Sequence, residues 1–230
     1  MSKVSGSIRF NTDSSRLEIY NGEQWWEIDA TSPELQTGGT RALSMGGSYP
    51  STSAVNVIEF ANIDSTGNFA NFGDLTGQRT EGKACASRTR AIFAGGFYSS
   101  SDRNDIYFVT IATKGEDTST FGTLLANVSE HAGLSNETRG IFAGGKPSGT
   151  NTIQHITIAS TGNAKDFGDL SHDDATGSMG AASPTRGIIA GGSPSPITDA
   201  IDYVTISTLG NGADFGNLTA SRYSGGSGSN

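Results

Sequence analysis

Apolar residues in this chain gather in short runs separated by Gly, Asn, Ser and Thr, and one phrase of that pattern returns four times. It reads Thr40-Arg41-Ala-Leu-Ser-Met-Gly46-Gly47, then Thr89-Arg90-Ala-Ile-Phe-Ala-Gly95-Gly96. Thr138-Arg139-Gly-Ile-Phe-Ala-Gly144-Gly145 and Thr185-Arg186-Gly-Ile-Ile-Ala-Gly191-Gly192 follow. A period of about fifty residues is the mark of stacked supersecondary units. Each repeat carries a second landmark: Phe72-Gly73-Asp74-Leu75, Phe121-Gly122-Thr123-Leu124, Phe167-Gly168-Asp169-Leu170 and Phe215-Gly216-Asn217-Leu218. Between the landmarks lie runs rich in β-branched and aromatic residues, from Val55 to Phe60, Ile106 to Ile111, Ile153 to Ile158 and Ile201 to Ile206. Bounded by turn residues, these read as strands. Turns such as Ser65-Thr66-Gly67-Asn68 and Ser160-Thr161-Gly162-Asn163 close them, Gly and Asn supplying the positive-φ positions of tight hairpins. No segment has a helical period.

Each unit therefore predicts four short strands. One precedes Thr-Arg, one ends in Gly-Gly, one is the Ile/Val run and one carries Phe-Gly-x-Leu. The Gly-Gly strand is apolar without alternation, which implies burial on both faces. The expected fold is all-β: a kelch-like β-propeller of four four-stranded blades over residues 40–230, with repeats starting at Thr40, Thr89, Thr138 and Thr185. The first repeat lacks its own copy of the strand before Thr-Arg. The segment from Arg222 onward is in phase to supply it, Arg222 falling where Arg79 does. The ring is expected to close on that C-terminal strand, which removes two exposed sheet edges. Residues 1–39 stand outside the repeat and read as a small β-meander, with a hairpin signal at Asn21-Gly22 and two tryptophans, Trp25 and Trp26, in want of a partner.

The phrases Thr-Arg-Gly-Ile-Phe-Ala-Gly-Gly, Ile-Asp-Tyr-Val-Thr-Ile-Ser-Thr and Asp-Phe-Gly-Asn-Leu-Thr resemble the kelch-type propeller repeats of tailed-bacteriophage structural proteins. The N-terminal Gly-Ser-Ile-Arg-Phe-Asn-Thr, Leu-Glu-Ile-Tyr-Asn-Gly and Gln-Trp-Trp-Glu resemble a short β-module of phage tail-fibre and virion proteins. Together the resemblances span almost the whole chain. They imply a non-enzymatic virion component, tail-fibre-like or a peripheral tail protein, with residues 1–39 attached to other virion proteins and the propeller displayed for adhesion to a host-surface glycan or protein. A capsid decoration or head-fibre protein is the second reading, and a propeller-based carbohydrate-active enzyme the third. Kelch-type rings usually have six or seven blades, and this chain has four repeats, so closure within one chain or between chains of a homo-oligomer stays open.

Composition fits that picture. Charged residues are sparse, 17% against 34% apolar, so the surface leans on small polar residues. A net charge of −8, with dispersed arginines, disfavours nucleic acid. The single cysteine, Cys85, excludes an intrachain disulfide framework, and no run is long enough for a transmembrane helix. The N-terminus lacks an apolar signal region, so the expected route is synthesis in the host cytoplasm and final residence in the virion.

Candidate chemistry is thin. Cys85 sits where other repeats have Leu134 and Ala181, as a small buried hydrophobe would. His131, His155 and His172 fall at different phases, with no metal-ligand spacing. Asp166, Asp169, Asp173 and Asp174 are the densest carboxylates, read as solvated turn residues with a bound Ca²⁺ as the alternative. No catalytic residue, cofactor or metal is assigned. The repeated Arg41, Arg90, Arg139 and Arg186 are expected to bond carbonyls or a neighbouring blade, with a ligand-binding ring as the alternative. The connections after each Gly-Gly differ in content, and loops varied on a fixed scaffold are where recognition resides. Tyr49, Phe97, Tyr98, Arg103 and Lys146 are the contact-prone residues there, with recognition and ordinary drift both open.

Overall fold

A computed structural model describes residues 4–11, 16–27, 40–49, 53–113, 118–147, 151–173, 175–193 and 196–228. Among these the chain is all-β, without helices, and it divides into two units, Met1–Gln36 and Thr37–Asn230.

The first unit is a three-stranded antiparallel meander of β1 (Ile8–Asn11), β2 (Arg16–Tyr20) and β3 (Trp25–Glu27). The Asn21-Gly22 signal is realised as a turn in which the Asn21 side-chain oxygen accepts from the Glu23 and Gln24 amides at 2.9 and 2.8 Å. Strand alternation splits the adjacent tryptophans. Ile8 stands opposite Ile19, Phe10 opposite Leu17, and Ile19 opposite Trp26; all five are exposed, forming one apolar face. Trp25 lies on the other face, against the Tyr20 ring and under the Arg9 guanidinium, whose Nε bonds buried Glu18 at 2.7 Å.

The second unit is a series of four antiparallel sheets, one per repeat. The first has three strands: β4 (Arg41–Met45), β5 (Val55–Asn62) and β6 (Ala70–Arg79). The second is β7 (Lys83–Ala86), β8 (Arg90–Ala94), β11 (Asp105–Thr110) and β12 (Ser119–Thr123), with a small hairpin of β9 (Phe97–Tyr98) and β10 (Ser101–Asp102) between β8 and β11. The third is β13 (Ala132–Ser135), β14 (Arg139–Ala143), β15 (Thr152–Thr157) and β16 (Lys165–Asp169). The fourth is β17 (Met179–Ala182), β18 (Arg186–Ala190), β19 (Ala200–Thr205) and β20 (Ala213–Asn217). The strand order within each unit is the one the repeat predicts.

Successive sheets share cores. Ile58, Phe72 and Leu75 of the first sheet bury against Phe93, Val109 and Ile111 of the second. Phe121 and Leu124 pack with Phe142, Ile156 and Ile158 of the third, and Phe167 and Leu170 with Ile189, Val204 and Ile206 of the fourth. The Phe-Gly-x-Leu landmark is thus the seam between sheets. Its glycine is required by close approach: a Cβ on Gly122 would lie 2.2 Å from the Gly162 carbonyl oxygen, and one on Gly168 2.4 Å from that of Gly210. There the turn of the next sheet bonds backbone to backbone, Gly162 N–H to Phe121 O and Gly210 N–H to Phe167 O, both at 2.8 Å.

The arginines of the Thr-Arg phrase cross the same seams. Arg41 donates to the carbonyls of Ile111 and Ala112 at 2.6 and 3.0 Å, Arg90 to Ile158 at 3.0 Å and Arg139 to Ile206 at 2.5 Å. Each guanidinium covers an aromatic ring as well, Arg90 over Phe108 at 4.6 Å being the closest of these three. The first strands crowd together along one edge, where small residues let backbones meet. A Cβ on Gly133 would fall 3.0 Å from the Lys83 Cβ, and one on Gly180 2.7 Å from the Gly133 oxygen. Beside that edge one residue per repeat bonds to its counterpart. The Glu130 amide donates to Glu81 O at 2.8 Å, Gly177 to Glu130 O at 2.7 Å and Ser224 to Gly177 O at 2.8 Å. All four hold positive φ, between 51° and 69°.

Two parts of the expected ring differ. Among the described residues the first sheet has three strands, so the sheets are not uniformly four-stranded. Nor does the C-terminal segment pair with β4 among the described residues. Its hydrogen bonds go to the fourth repeat: Gly192 N–H to Arg222 O at 3.0 Å, Ser224 N–H to Gly177 O, and the Ser227 hydroxyl to Gly180 O at 2.6 Å. The phase is as read, because Gly47 N–H reaches Arg79 O in the same way at 2.8 Å. Bonding to the preceding sheet satisfies these backbone groups locally, and among the described residues no strand pairs with the outer edge of β4.

The Gly-Gly pair is where the chain leaves the second strand under the segment entering the next sheet. Gly144 has φ +65°, and a Cβ there would sit 2.4 Å from the Ala175 Cβ and 2.8 Å from its oxygen. Gly144→Ala combines a disfavoured backbone conformation with a steric overlap, and is expected to cost about 2–4 kcal/mol in urea unfolding. A loss below about 0.5 kcal/mol would show that the pair is not a geometric requirement.

Candidate functional site

The segment Phe97–Arg103, which the variable connections singled out, forms a built projection. The β9–β10 hairpin turns through Ser99 and Ser100 at φ +51° and +64°, the conformation of a two-residue turn normally occupied by Asn-Gly. It is anchored on both sides. Phe97 and Thr80 exchange backbone bonds at 2.7 and 3.0 Å, tying it to the end of β6. The Ser129 hydroxyl donates to the Asp102 carboxylate at 2.6 Å, tying it to the approach to β13. A groove of about 340 Å³ runs beside it, lined by Ser53, Ala54, Gln78, Thr80, Phe97, Tyr98, Ser99 and Ser100.

The five expected contact residues are only partly brought together. Phe97 and Tyr98 share this hairpin and line the groove, both half-buried. Arg103 is held back: its guanidinium sits 6.0 Å from the Tyr98 ring centre, while its amide bonds Gly96 O and its carbonyl accepts from Val128. It braces the hairpin more than it faces solvent. Lys146 lies on the next connection, where it bridges to Ser129 through the backbone and its ammonium pairs with Glu130. Tyr49 is exposed on the first connection, bonded to Ser53 O, outside the groove lining. Trp25 and Trp26 belong to the N-terminal unit, on opposite faces.

Asp102, Ser129 and Thr80 were missed by reading the connections alone. A signal was present: Thr80-Glu81, Ser129-Glu130 and Thr176-Gly177 recur at one phase, a hydroxyl residue before the positive-φ residue. In the structure each of the three hydroxyl residues meets the first residue after a Gly-Gly, namely Phe97, Lys146 and Ser193.

The remaining candidates scatter. Cys85 is buried in the seam between the second and third sheets, and burial pushes its thiol up to about 12. His131 is fully buried, edge-on to Phe142 at 5.5 Å with neither ring nitrogen hydrogen-bonded; burial first, and then Lys83, lowers its pKa to about 3. His155 packs against Phe167, its pKa lowered by burial and by Arg139. His172 lies 3.7 Å from Asp202, whose carboxylate holds Ser171. Asp166 and Asp169 are exposed on β16, Asp173 is exposed beyond it, and Asp174 lies outside the described residues. Among the described residues no three His, Cys, Asp or Glu side chains converge as metal ligands would. No family model matches this chain, and no curated protein matches it in sequence.

Two outcomes follow from this geometry. Replacing Ser99-Ser100 by Asn-Gly relieves two disfavoured backbone positions, and is expected to stabilise the hairpin by about 1 kcal/mol, read as slower amide exchange at Phe97 to Asp102. His131 stays neutral in the fold while the unfolded chain takes up a proton below its ordinary value near 6.5. Stability is therefore complete above that pH and falls by about 1.4 kcal/mol per pH unit toward pH 3. His131→Leu should flatten that slope in urea midpoints measured from pH 7 to pH 4; an unchanged slope would assign acid sensitivity elsewhere.

Proposed function

We propose that this protein is a non-enzymatic structural component of a phage virion, tail-fibre-like or peripheral to the tail. It carries its repeat array as a propeller whose connecting loops adhere to the host surface. The repeat phrases and the N-terminal module resemble those of phage virion proteins, and that resemblance brings the reading into view. The observation that carries it is the division of labour along the repeat. In the three seams the shared residues, Arg, Gly-Gly and Phe-Gly-x-Leu, are consumed by contacts between sheets. What differs between repeats projects outward, led by the Phe97–Arg103 hairpin and its groove. Aromatic side chains beside hydroxyls and amides suit a glycan or a protein loop.

Attachment falls to the other unit. Ile8, Phe10, Leu17, Ile19 and Trp26 make an exposed apolar sheet face of the kind that marks a protein interface. Trp25, facing the other way, supports that sheet.

Ile19→Glu with Trp26→Ala should abolish incorporation into particles while the thermal midpoint of the repeat unit holds. Phe97→Ala with Tyr98→Ala should leave incorporation intact and lower adsorption to host cells by at least tenfold. Wild-type incorporation of the first variant would remove the attachment role, and wild-type adsorption of the second would remove the adhesive one.

A further inference from the structure

The three seams of the array follow one rule, and its two halves are left open at the ends. In each seam the earlier sheet offers an arginine, the Phe of Phe-Gly-x-Leu, and backbone amides beyond it. The later sheet offers an Ile carbonyl in every seam and, in the second and third, a Gly-Asn turn and a polar residue on its third strand; in the first, Thr118 instead bonds the Thr76 amide at 2.8 Å. Thus Thr123 N–H bonds the Asn163 side chain and Asp169 N–H that of Asn211, both at 3.1 Å. Leu125 N–H bonds Gln154 at 2.8 Å, and Ser171 bonds Asp202 through both amide and hydroxyl at 2.7 and 2.6 Å.

The fourth sheet presents the first half of that rule with nothing on it. Phe215 is 52% exposed, where Phe72, Phe121 and Phe167 are at most 3%. Arg186 stacks on Tyr203 at 4.6 Å and reaches no carbonyl among the described residues. A Cβ on Gly216 would meet nothing within 4 Å, in contrast to Gly122 and Gly168. An apolar groove of about 490 Å³ runs along this face between Ala181, Ile188, Phe215 and Gly228.

The first sheet presents the second half. Ile63 is 67% exposed, where its counterparts Ile111, Ile158 and Ile206 are at most 5%. Exposed Asn68 follows Gly67 as Asn163 follows Gly162. Glu59 stands opposite Ser44 as Gln154 stands opposite Phe142 and Asp202 opposite Ile189, so it occupies the acceptor position of the seam. Its mate by phase is Thr219, whose hydroxyl accepts from Arg222 at 3.1 Å and keeps its proton to donate. Among the described residues the edge of β4 also lacks the strand that β7, β13 and β17 supply to their sheets. Residues 225–228 occupy that strand's place beside β17, Ser227 bonding Gly180 one repeat away.

We infer that a second copy of this chain docks head-to-tail, the first sheet of one copy covering the fourth sheet of the other in a fourth seam of the same kind. The C-terminal segment of the covered copy then adds as a strand to β4 of its partner. The occupant is argued from continuity, because three formed seams specify the partners of the arginine and the Phe, and two of them those of the turn and of the third-strand acceptor. A separate copy rather than the chain's own first sheet is favoured by the seam's polarity. Ser44 stands where the internal seams have Phe93, Phe142 and Ile189. Such a surface, soluble when bare, belongs to an association of folded chains rather than to a folding core. This inference rests on reading the four sheets as propeller blades, and beyond that needs nothing of the virion reading.

Exposed Glu59 and Thr219 allow a test that leaves the core untouched, the native Cys85 being buried. A chain with Glu59→Cys and a chain with Thr219→Cys are mixed under mild oxidation and run without reductant. The expected result is a disulfide-linked heterodimer formed at least tenfold faster than either single variant dimerises alone. Light scattering of the unmodified full chain should give at least twice the mass of one chain, reverting to one chain with Phe215→Asp. The double variant carrying both cysteines separates the failures. An intrachain disulfide at the mass of one chain would overturn the second copy while keeping the propeller ring, and reduced thiols in every mixture would overturn both.

Discussion

Burial between sheets governs this repeat unit. A β-sheet of three or four short strands with apolar residues on both faces cannot shield itself, and each inner face here is finished by the adjacent sheet in the series. Ile92 and Phe93 are adjacent on β8 and point into different cores, one toward the third sheet and one toward the first. The seams must also be satisfied in their polar groups, and that task falls to a few recurring ones. The arginine caps a carbonyl across the gap, the turn glycine and asparagine bond the fourth strand, and the Phe-Gly glycine leaves room for both. Elements that touch no seam are free to vary, which is why the connections after Gly-Gly can differ so much.

Much of this was legible in the sequence because a seam repeated along a chain writes itself repeatedly. The strand order, the buried Phe of the first three landmarks, the glycine pairs and the structural use of Arg41, Arg90 and Arg139 all follow from residues that recur at one phase. Arg186 has the same identity as these and a different situation, which depends on what stands across the sheet and not on its own phrase. Ring closure shows the limit of phase. The Arg222 carbonyl does what the Arg79 carbonyl does, yet being in phase with β4 is not the same as pairing with it. Backbone groups take the acceptor within reach, and for the C-terminal segment that is the fourth repeat.

The candidate site was legible in its location and not in its membership. The aromatic pair Phe97 and Tyr98 announced a contact-prone loop. Nothing in that loop predicts that Arg103 turns inward under Tyr98, or that Asp102 is held by Ser129. Those partners come from a neighbouring repeat, and a string of residues carries no record of what lies across a sheet edge. The tryptophans teach a similar lesson at short range. Adjacent residues of a strand face opposite ways, so Trp25 and Trp26 could not share one surface once β3 formed.

The hydrogen-bonded succession Glu81, Glu130, Gly177 and Ser224 has a bearing on how the outer loops act. These peptide groups link one repeat to the next at a single atom pair, immediately beside the residues Thr80, Ser129 and Thr176 that hold the loops. Positive φ at each of them leaves little latitude in that spacing. The loops are therefore presented at a constant pitch, whatever their individual content. A binder with elements at constant pitch gains from a ligand that is itself periodic, since engaging one element raises the effective concentration of the next. On the proposed adhesive role, affinity at any one loop can then be weak and easily altered, while avidity comes from the scaffold.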